Sequence, residues 1–212
     1  MELDSVQIGA PDPATYELLL GVEALHLDGG VRRFQLERGA VEIEPGEPGL
    51  RSVRFTGASD DGWRDASFHG LRVLTRAASG GASPTEGIAI DHVVVQTADV
   101  ERAIRLWRDR LGLRLALDRA FPERGLRLVF FRSGGITLEF ATPHPPPAVV
   151  DEPDRLHGVS YRVRDLEARR ARLLAAGLDV SPIRPGMRPG TSVATVRSET
   201  AGVPTLLLQV DA

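Results

Sequence analysis

Two histidines at matching places in a repeated phrase are the side chains best suited to chemistry in this chain. His92 opens HVVVQTADVERAIRLWRDRLG and His157 opens HGVSYRVRDLEARRARLLAAG, and both phrases end on a glycine 20 positions after the histidine. A neutral imidazole is a common metal ligand, and it can also take up or release a proton near neutral pH. A polar residue repeated in two copies of one phrase predicts a site built from both copies.

Each phrase has the pattern of a β-strand followed by an α-helix. A short β-branched or aromatic run comes first, Asp99 or Asp165 stands where a helix N-cap is expected, and Gly112 or Gly177 stands where the helix should stop. The first copy predicts strand 89–96, helix 100–111 and strands 113–117, 126–132 and 136–141. The second predicts strand 158–163, helix 166–176 and strands 178–180, 191–197 and 205–210.

These elements predict an α+β fold of paired βαβββ modules. We expect cupped mixed sheets with the helices on the convex faces, so that the concave faces enclose a pocket. Proline-rich 142–154 joins the two modules, since proline lacks the backbone donor that a strand ladder needs.

The phrases DHVVVQTADVERAIRLWRDRLGL, GGITLEF and GVSYRVRDLEARRARLLAAGLDV resemble the vicinal oxygen chelate superfamily, which includes glyoxalase I, bleomycin-resistance proteins, extradiol dioxygenases and methylmalonyl-CoA epimerase. The resemblance implies a divalent metal (Zn, Ni, Mn or Fe) held by one residue from the first and one from the last strand of each module. Carried onto this chain, the ligands are His92, Glu139, His157 or its neighbour, and Gln209 or its neighbour in LLLQV. It also implies that Glu139 and Gln209 help to move a proton, and are thus the catalytic groups.

The second module departs from this pattern at its first strand. His92 precedes its N-cap Asp99 by seven positions, whereas His157 precedes Asp165 by eight. Because strand side chains alternate between faces, the extra residue turns His157 away from the pocket unless a bulge intervenes. On equal register the ligand position belongs to Gly158. At the last strand, Gln209 stands where a glutamate is more usual.

Two arginines form a separate candidate for substrate binding. Arg184 and Arg188 lie in the loop IRPGMRPG, where guanidinium groups could hold a substrate carboxylate or phosphate. The alternative is that both arginines are simply solvated.

Composition shifts predict three regions. Residues 1–76 read as a reduced, site-less βαβββ-like region, residues 77–87 as a linker, and residues 88–212 as a complete two-module domain with modules at about 88–142 and 155–212. Within the first region we expect a strand and helix, a hairpin, and then another strand and helix. Rough alignment places Ser5 and Arg51 where the later copies have histidine.

Bulk composition narrows the class of partner. The 212 residues are 42% hydrophobic and 26% charged, have a net charge of −3 and include no cysteine, which excludes disulfides and thiolate metal sites. The chain has no basic excess for nucleic acid and no apolar run for a membrane span or export signal. We therefore expect a cytoplasmic monomer or homodimer that acts on a small molecule.

The resemblance to this superfamily implies two functions of different class. The first is a divalent-metal-dependent enzyme of glyoxalase, epimerase or dioxygenase type acting on a substrate with vicinal oxygens. The second is a metal-free small-molecule binding protein of bleomycin-resistance type. Pairing of His92 with Glu139 favours the enzyme, and Gly158 favours the binding protein.

Overall fold

The computed structural model describes residues 1–57, 64–76, 87–148 and 151–211. These residues form two mixed sheets of 7 and 8 strands with few helices, and neither sheet closes into a barrel. The predicted α+β class is confirmed. None of the described helices has the length and apolar character needed to cross a membrane.

The 7-stranded sheet comes from the amino-terminal region and has the order β2-β3-β4-β1-β5-β7-β6. Strand β1 and helix α1, and the antiparallel pair β3 and β4, confirm the expected strand, helix and hairpin. The elements are β1 (Glu2–Ala10), α1 (Ala14–Leu20), β2 (Ala24–His26), β3 (Arg32–Gln35), β4 (Ala40–Pro45), β5 (Gly49–Thr56), β6 (Arg64–Phe68) and β7 (Leu71–Arg76).

The helix expected after β5 is wrong where the chain is described, because β6 and β7 form an antiparallel hairpin there. Phe68 pairs with Leu71, which leaves a two-residue loop at His69 and Gly70 with φ of 48° and 94°. Two successive positive φ values match the right-handed twist of a tight hairpin and end any helix. Residues 58–63 of the expected helix lie outside the described residues.

The 8-stranded sheet comes from the two repeated modules and has the order β13-β14-β15-β12-β8-β11-β10-β9. Both modules keep the predicted order of strand, helix and strands. The elements are β8 (Ile88–Gln96), α2 (Val100–Ile104), β9 (Arg114–Phe121), β10 (Leu126–Ser133), β11 (Ile136–Pro143), β12 (Arg155–Val163), α3 (Leu166–Ala175), β13 (Arg184–Pro185), β14 (Thr191–Val196) and β15 (Thr205–Val210).

The predicted helix ends are confirmed in both modules. The Asp99 carboxylate accepts the backbone N–H of Arg102 at 2.9 Å, and the Asp165 carboxylate accepts that of Ala168 at 2.9 Å. Gly112 and Gly177 have φ of 72° and 86°, which other residues adopt only with strain.

Two elements differ from the sequence prediction. Helix α2 continues as a π-helix over Arg105–Arg110, a widened turn that contains the fully buried Trp107. The expected strand 178–180 is reduced to a single bridge between Val180 and Val196. Pro182, which has no backbone N–H to extend a ladder, follows two residues later.

The chain divides into two compact units, each of which combines part of the amino-terminal region with one repeated module. Unit 1 is Met1–Asp4, Ser52–Gly80 and His92–His157. Its core is aromatic: the Trp107 ring centroid lies 5.9 Å from Phe55, 6.3 Å from Phe68 and 5.7 Å from Phe140. Of the predicted linker 77–87, only Gly87 is described, so the three predicted regions stay a prediction.

Unit 2 is Ser5–Arg51, Gly81–Asp91 and Gly158–Ala212. Helices α1 and α3 both contribute to it. Tyr16 of α1 is 1% exposed and donates its hydroxyl to the carbonyl of Thr200 at 3.0 Å. Burial raises the pKa of Tyr16 and also that of Tyr161 on β12. Both tyrosines therefore act as neutral core residues.

Candidate functional site

Strands β8 and β11 place His92 and Glu139 on one face of the first module. The strands are parallel, His92 pairs with Thr137, and Val94 pairs with Glu139. Because side chains alternate along each strand, His92, Val94, Thr137 and Glu139 share a face. The opposite face is core, since the alternating residues are at most 1% exposed: Val93, Val95, Leu138 and Phe140.

His92 and Glu139 lie close to each other and remain accessible. The distance from His92 Nε2 to Glu139 Oε2 is 3.7 Å, and the side chains are 16% and 18% exposed. On the same face, Arg132 Nη1 donates to Thr137 Oγ1 at 2.7 Å. The face thus offers an imidazole, a carboxylate and a guanidinium-bound hydroxyl to a molecule that settles on it.

The second module lacks the corresponding pair. In its parallel ladder β12 to β15, Ser160 pairs with Leu206, as Val94 pairs with Glu139 in the first module. The residue that matches Glu139 is therefore Leu206, and the residue that matches His92 is Gly158. A Cβ at Gly158 would lie 2.6 Å from the carbonyl oxygen of Pro204. No side chain fits at Gly158 unless the backbone moves.

The two other predicted ligands have different surroundings. His157 is exposed at the start of β12, where it has the parity of Val159 and Tyr161, whose side chains are buried. Gln209 Oε1 accepts the backbone N–H of Leu166 at 2.7 Å, so this amide oxygen satisfies the first turn of α3. The ligand role of these two residues, and the catalytic role of Gln209, stay predictions.

The donors found in the structure do not fit the four-ligand metal set that the family implies. Within residues 1–57, 64–76, 87–148 and 151–211, no group of three or more His, Cys, Asp or Glu side chains is arranged to hold a metal ion. His92 and Glu139 are two suitable donors, whereas Leu206 and Gly158 offer no side-chain donor and the Gln209 oxygen is already bonded. Structural and catalytic metal sites use three or four protein ligands.

Arg184 and Arg188 are exposed in unit 2. Arg184 pairs through its backbone with Val193, and the carbonyl of Arg188 accepts the Thr191 hydroxyl. Their side chains make no hydrogen bond or ion pair within the part of the chain that the structure describes. Their role in substrate binding stays a prediction.

A cavity of about 410 Å³ begins where the His92 and Glu139 face ends. Gln96 pairs with Ala141, two residues beyond the pairing of Val94 with Glu139, and both line the cavity. Its other walls include Thr142 and Arg155, and the prolines of the connection. From the sequence, residues 142–154 were predicted only as a connection between the modules. The run of prolines between two strands was the feature that indicated a cavity wall there.

Thr142 is buried at the edge of this cavity. It is among the lining residues, but it has the parity of Leu138 and Phe140 on the core face of β11 and is 3% exposed. Its Oγ1 is buried and has no hydrogen-bond partner among the described residues. The polar side chains open to a ligand in the cavity are those of Gln96 and Arg155, which are both exposed.

Asp154 fixes the connection that forms one wall. Its carboxylate, 1% exposed, bonds Arg102 Nη2 of α2 at 3.0 Å, and its backbone N–H donates to the carbonyl of His69 at 2.8 Å. Burial raises the pKa of Asp154, while hydrogen bonding to Thr97 and the charge of Arg102 oppose that rise. The wall is thus tied to α2 by a buried ion pair.

Comparison with known proteins supports the fold. The halotolerant catechol dioxygenase BphC is 12% identical with a TM-score of 0.71, over 98% of this chain and 86% of its own. A mutant of 4-hydroxymandelate synthase from Streptomyces coelicolor is 11% identical with a TM-score of 0.70, over 98% and 92%. Methylmalonyl-CoA epimerase from Mycobacterium tuberculosis is 22% identical with a TM-score of 0.49, over 63% and 93%. No curated protein sequence matches the chain.

The family model of the Glyoxalase/Bleomycin resistance protein/Dioxygenase superfamily matches residues 91–195, which contain His92, Glu139 and both repeated phrases. At 11–12% identity the two full-length structural matches establish the fold alone. Residues 91–195 of this chain therefore match the Glyoxalase/Bleomycin resistance protein/Dioxygenase superfamily, and the resemblance of its phrases to the vicinal oxygen chelate superfamily is confirmed.

Proposed function

We propose that this protein binds a small organic molecule without a metal, in the manner of the bleomycin-resistance type. The ligand occupies the cavity beside Thr142 and reaches along β8 and β11 to His92 and Glu139. The volume of about 410 Å³ lies within the range of small-molecule pockets.

The observation that carries the proposal is the second module's loss of both ligand positions. Gly158 and Leu206 stand where the first module has His92 and Glu139, and the 2.6 Å distance from a Cβ at Gly158 to Pro204 leaves no room for a donor. Two protein ligands bind a divalent ion weakly. The same His92 and Glu139 side chains can instead donate to and accept from a ligand hydroxyl or amide.

The cavity walls indicate an amphipathic ligand. Pro143, Pro147 and Leu126 give an apolar surface on which a ring or short aliphatic group packs. Gln96 and Arg155 give polar groups that fix its orientation. We expect a molecule with one apolar part and at least one hydrogen-bonding oxygen.

Calorimetric titration of the full chain with catechol and with phenol, both in EDTA, tests the proposal. We expect saturable binding of at least one probe. Arg155→Met keeps most of the side-chain length and removes the guanidinium from the cavity wall, so it should weaken that binding by about fivefold, the order of one hydrogen bond. Arg197→Met removes an exposed guanidinium outside the cavity and is the matched control.

Binding that appears only after a metal is added would overturn the proposal. Equal affinities of the Arg155→Met and Arg197→Met variants would show that the ligand does not bind in this cavity. Failure of both probes in EDTA, with no shift in melting temperature, would also count against it.

A metal-dependent glyoxalase, epimerase or dioxygenase-like enzyme is the second candidate. The specific observation in its favour is the 3.7 Å separation of His92 Nε2 and Glu139 Oε2 on an accessible face. Equilibrium dialysis against zinc, nickel, manganese and ferrous iron tests it. One metal per chain in the unaltered protein, lost in His92→Ala, would replace the binding proposal with this one. Cytoplasmic location and a monomeric or homodimeric state stay predictions.

A further inference from the structure

A second cavity, in unit 2, has walls that are rich in arginine. Its volume is about 360 Å³, and it is lined by Arg164, Asp165, Arg169, Arg172, Val163 and Gly21, among others. The three arginines and one aspartate give these walls a formal charge of +2. The Asp165 carboxylate already bonds the backbone N–H of Ala168 as the N-cap of α3.

Arg169 and Arg172 lack a carboxylate partner among the described residues. Arg169 Nη1 donates to the carbonyl of Leu20 at 2.9 Å, and Arg172 Nη2 donates to that of Leu18 at 2.9 Å. Each also reaches the carbonyl of Leu19 at 3.4 Å. All these acceptors are backbone groups at the end of α1, so neither guanidinium meets a formal negative charge.

Capping of α1 by itself does not balance these charges. A helix carboxyl terminus carries a partial charge of roughly −0.5, against the two full charges of Arg169 and Arg172. Each guanidinium has five N–H donors in a fixed fork, and the bonds to α1 use one terminal nitrogen of each. The remaining nitrogens are available for a planar or tetrahedral oxyanion.

Like-charge repulsion adds to the imbalance. Burial and the neighbouring charge of Arg172 both lower the pKa of Arg169. Arg164, at the more exposed side with its side chain 62% exposed, interacts with Glu37 at 3.4 Å. An anion between Arg169 and Arg172 would therefore relieve a repulsion that the protein's own acids leave in place.

We propose that this cavity binds a phosphate-class oxyanion, with Arg169 and Arg172 as its principal ligands and Arg164 at its edge. A doubly charged oxyanion matches the +2 charge of the walls, and arginine forks pair with phosphate oxygens through two parallel bonds. The site uses unit 2 residues and neither His92, Glu139 nor Thr142. Its test is thus independent of the function proposed above.

Calorimetric titration of the full chain with inorganic phosphate, at constant ionic strength set by chloride, tests the site. We expect saturable binding of one phosphate per chain. Arg172→Gln should raise the dissociation constant about tenfold, because it removes one charge-assisted pair. Arg172→Lys should retain part of the affinity. Arg197→Gln removes an exposed arginine of unit 2 that does not line the cavity, and should leave the affinity unchanged.

A second measurement uses the unaltered chain, so its result does not depend on whether a variant folds. Phosphate should raise its melting temperature along a saturation curve, whereas chloride at the same ionic strength should not. If phosphate gives no saturable heat and no such shift, or if Arg172→Gln and Arg197→Gln bind phosphate equally, the assignment is wrong.

Discussion

At the scale of single residues, the missing side chain at Gly158 distinguishes the two modules. The position corresponds to His92, yet it is closed by the Pro204 carbonyl. Sequence spacing placed a glycine at the ligand position, but only the ladder register shows that β15 presents Leu206 in place of an acid. The spacing of side chains along a strand predicts which face of the sheet each one occupies. The residue paired with it in the neighbouring strand depends on how strands that are distant in sequence align.

Substitution of Gly158 by alanine should destabilise the protein. The added Cβ would lie 2.6 Å from the Pro204 carbonyl oxygen, and a backbone atom cannot swing aside as a flexible side chain can. We expect a loss of about 1–3 kcal/mol in the free energy of unfolding, measured by urea denaturation. Ser192 of β14 is partly exposed, so Ser192→Ala should change the free energy of unfolding by less than about 0.5 kcal/mol. A Gly158→Ala variant as stable as the unaltered chain would show that a donor side chain can be accommodated there.

Asp118 provides a pH-dependent test at the same scale. The hydrogen bond from Arg127 lowers the pKa of Asp118, and Arg127 Nη2 lies 2.8 Å from its Oδ2. Because the folded pKa is below the unfolded one, this pair stabilises the protein above the unfolded pKa, and the stabilisation disappears as pH falls through the folded pKa. The Asp118 side chain is 34% exposed and that of Arg127 is 25% exposed. We therefore expect the pair to contribute about 0.5 kcal/mol to the free energy of unfolding near pH 7.

Urea denaturation of Asp118→Asn at pH values from about 2 to 7 measures this contribution. Its deficit in stability against the unaltered chain should shrink towards zero at the acid end. The exposed Asp28 makes no ion pair among the described residues, so Asp28→Asn should show no such trend. A deficit independent of pH would mean that the Arg127 pair does not act through the charge of Asp118.

At the scale of elements, an N-cap Asp and a C-terminal Gly correctly predicted the ends of both repeated helices. Asp99 and Asp165 cap their helices, and Gly112 and Gly177 end them, because these local rules need no tertiary contact. The hairpin at 64–76 was missed because its turn depends on φ at His69, which the residue type does not reveal. The π-helix was missed because a widened turn leaves the apolar spacing nearly unchanged.

Gln209 joins β15 to α3, and its substitution tests that connection. Its Oε1 accepts the Leu166 N–H at 2.7 Å, one of the backbone groups that the first turn of a helix leaves unsatisfied. Gln209→Leu should cost about 1 kcal/mol of unfolding free energy, whereas Gln209→Glu retains an acceptor and should cost less. Urea denaturation compares the two. Loss of bound metal in Gln209→Leu, without loss of stability, would instead indicate a ligand role.

At the scale of the whole molecule, the amino-terminal region contributes residues to both compact units. Its reduced repeats predict a region 1–76 followed by a linker 77–87, and that division stays a prediction. In the structure, unit 1 includes Ser52–Gly80 and unit 2 includes Ser5–Arg51. Such contacts join residues more than 100 positions apart, as between Tyr16 and Thr200, and no local pattern encodes that pairing.

Residues 88–212 expressed alone should therefore lack a cooperative fold, although they contain both repeated modules. Removal of 1–87 deletes Phe55, which packs against Trp107 in unit 1. It also deletes three buried side chains of unit 2, those of Tyr16, Leu19 and Leu20. Each of these side chains is at most 1% exposed, and burial of one large apolar side chain is worth about 1.5–3 kcal/mol. Their combined loss is comparable with the total stability of an ordinary domain, about 5–15 kcal/mol.

Thermal unfolding by circular dichroism and amide dispersion in proton–nitrogen NMR, with the full chain as reference, measure the outcome. A sharp transition and dispersed amides in the fragment would instead establish 88–212 as a self-sufficient domain.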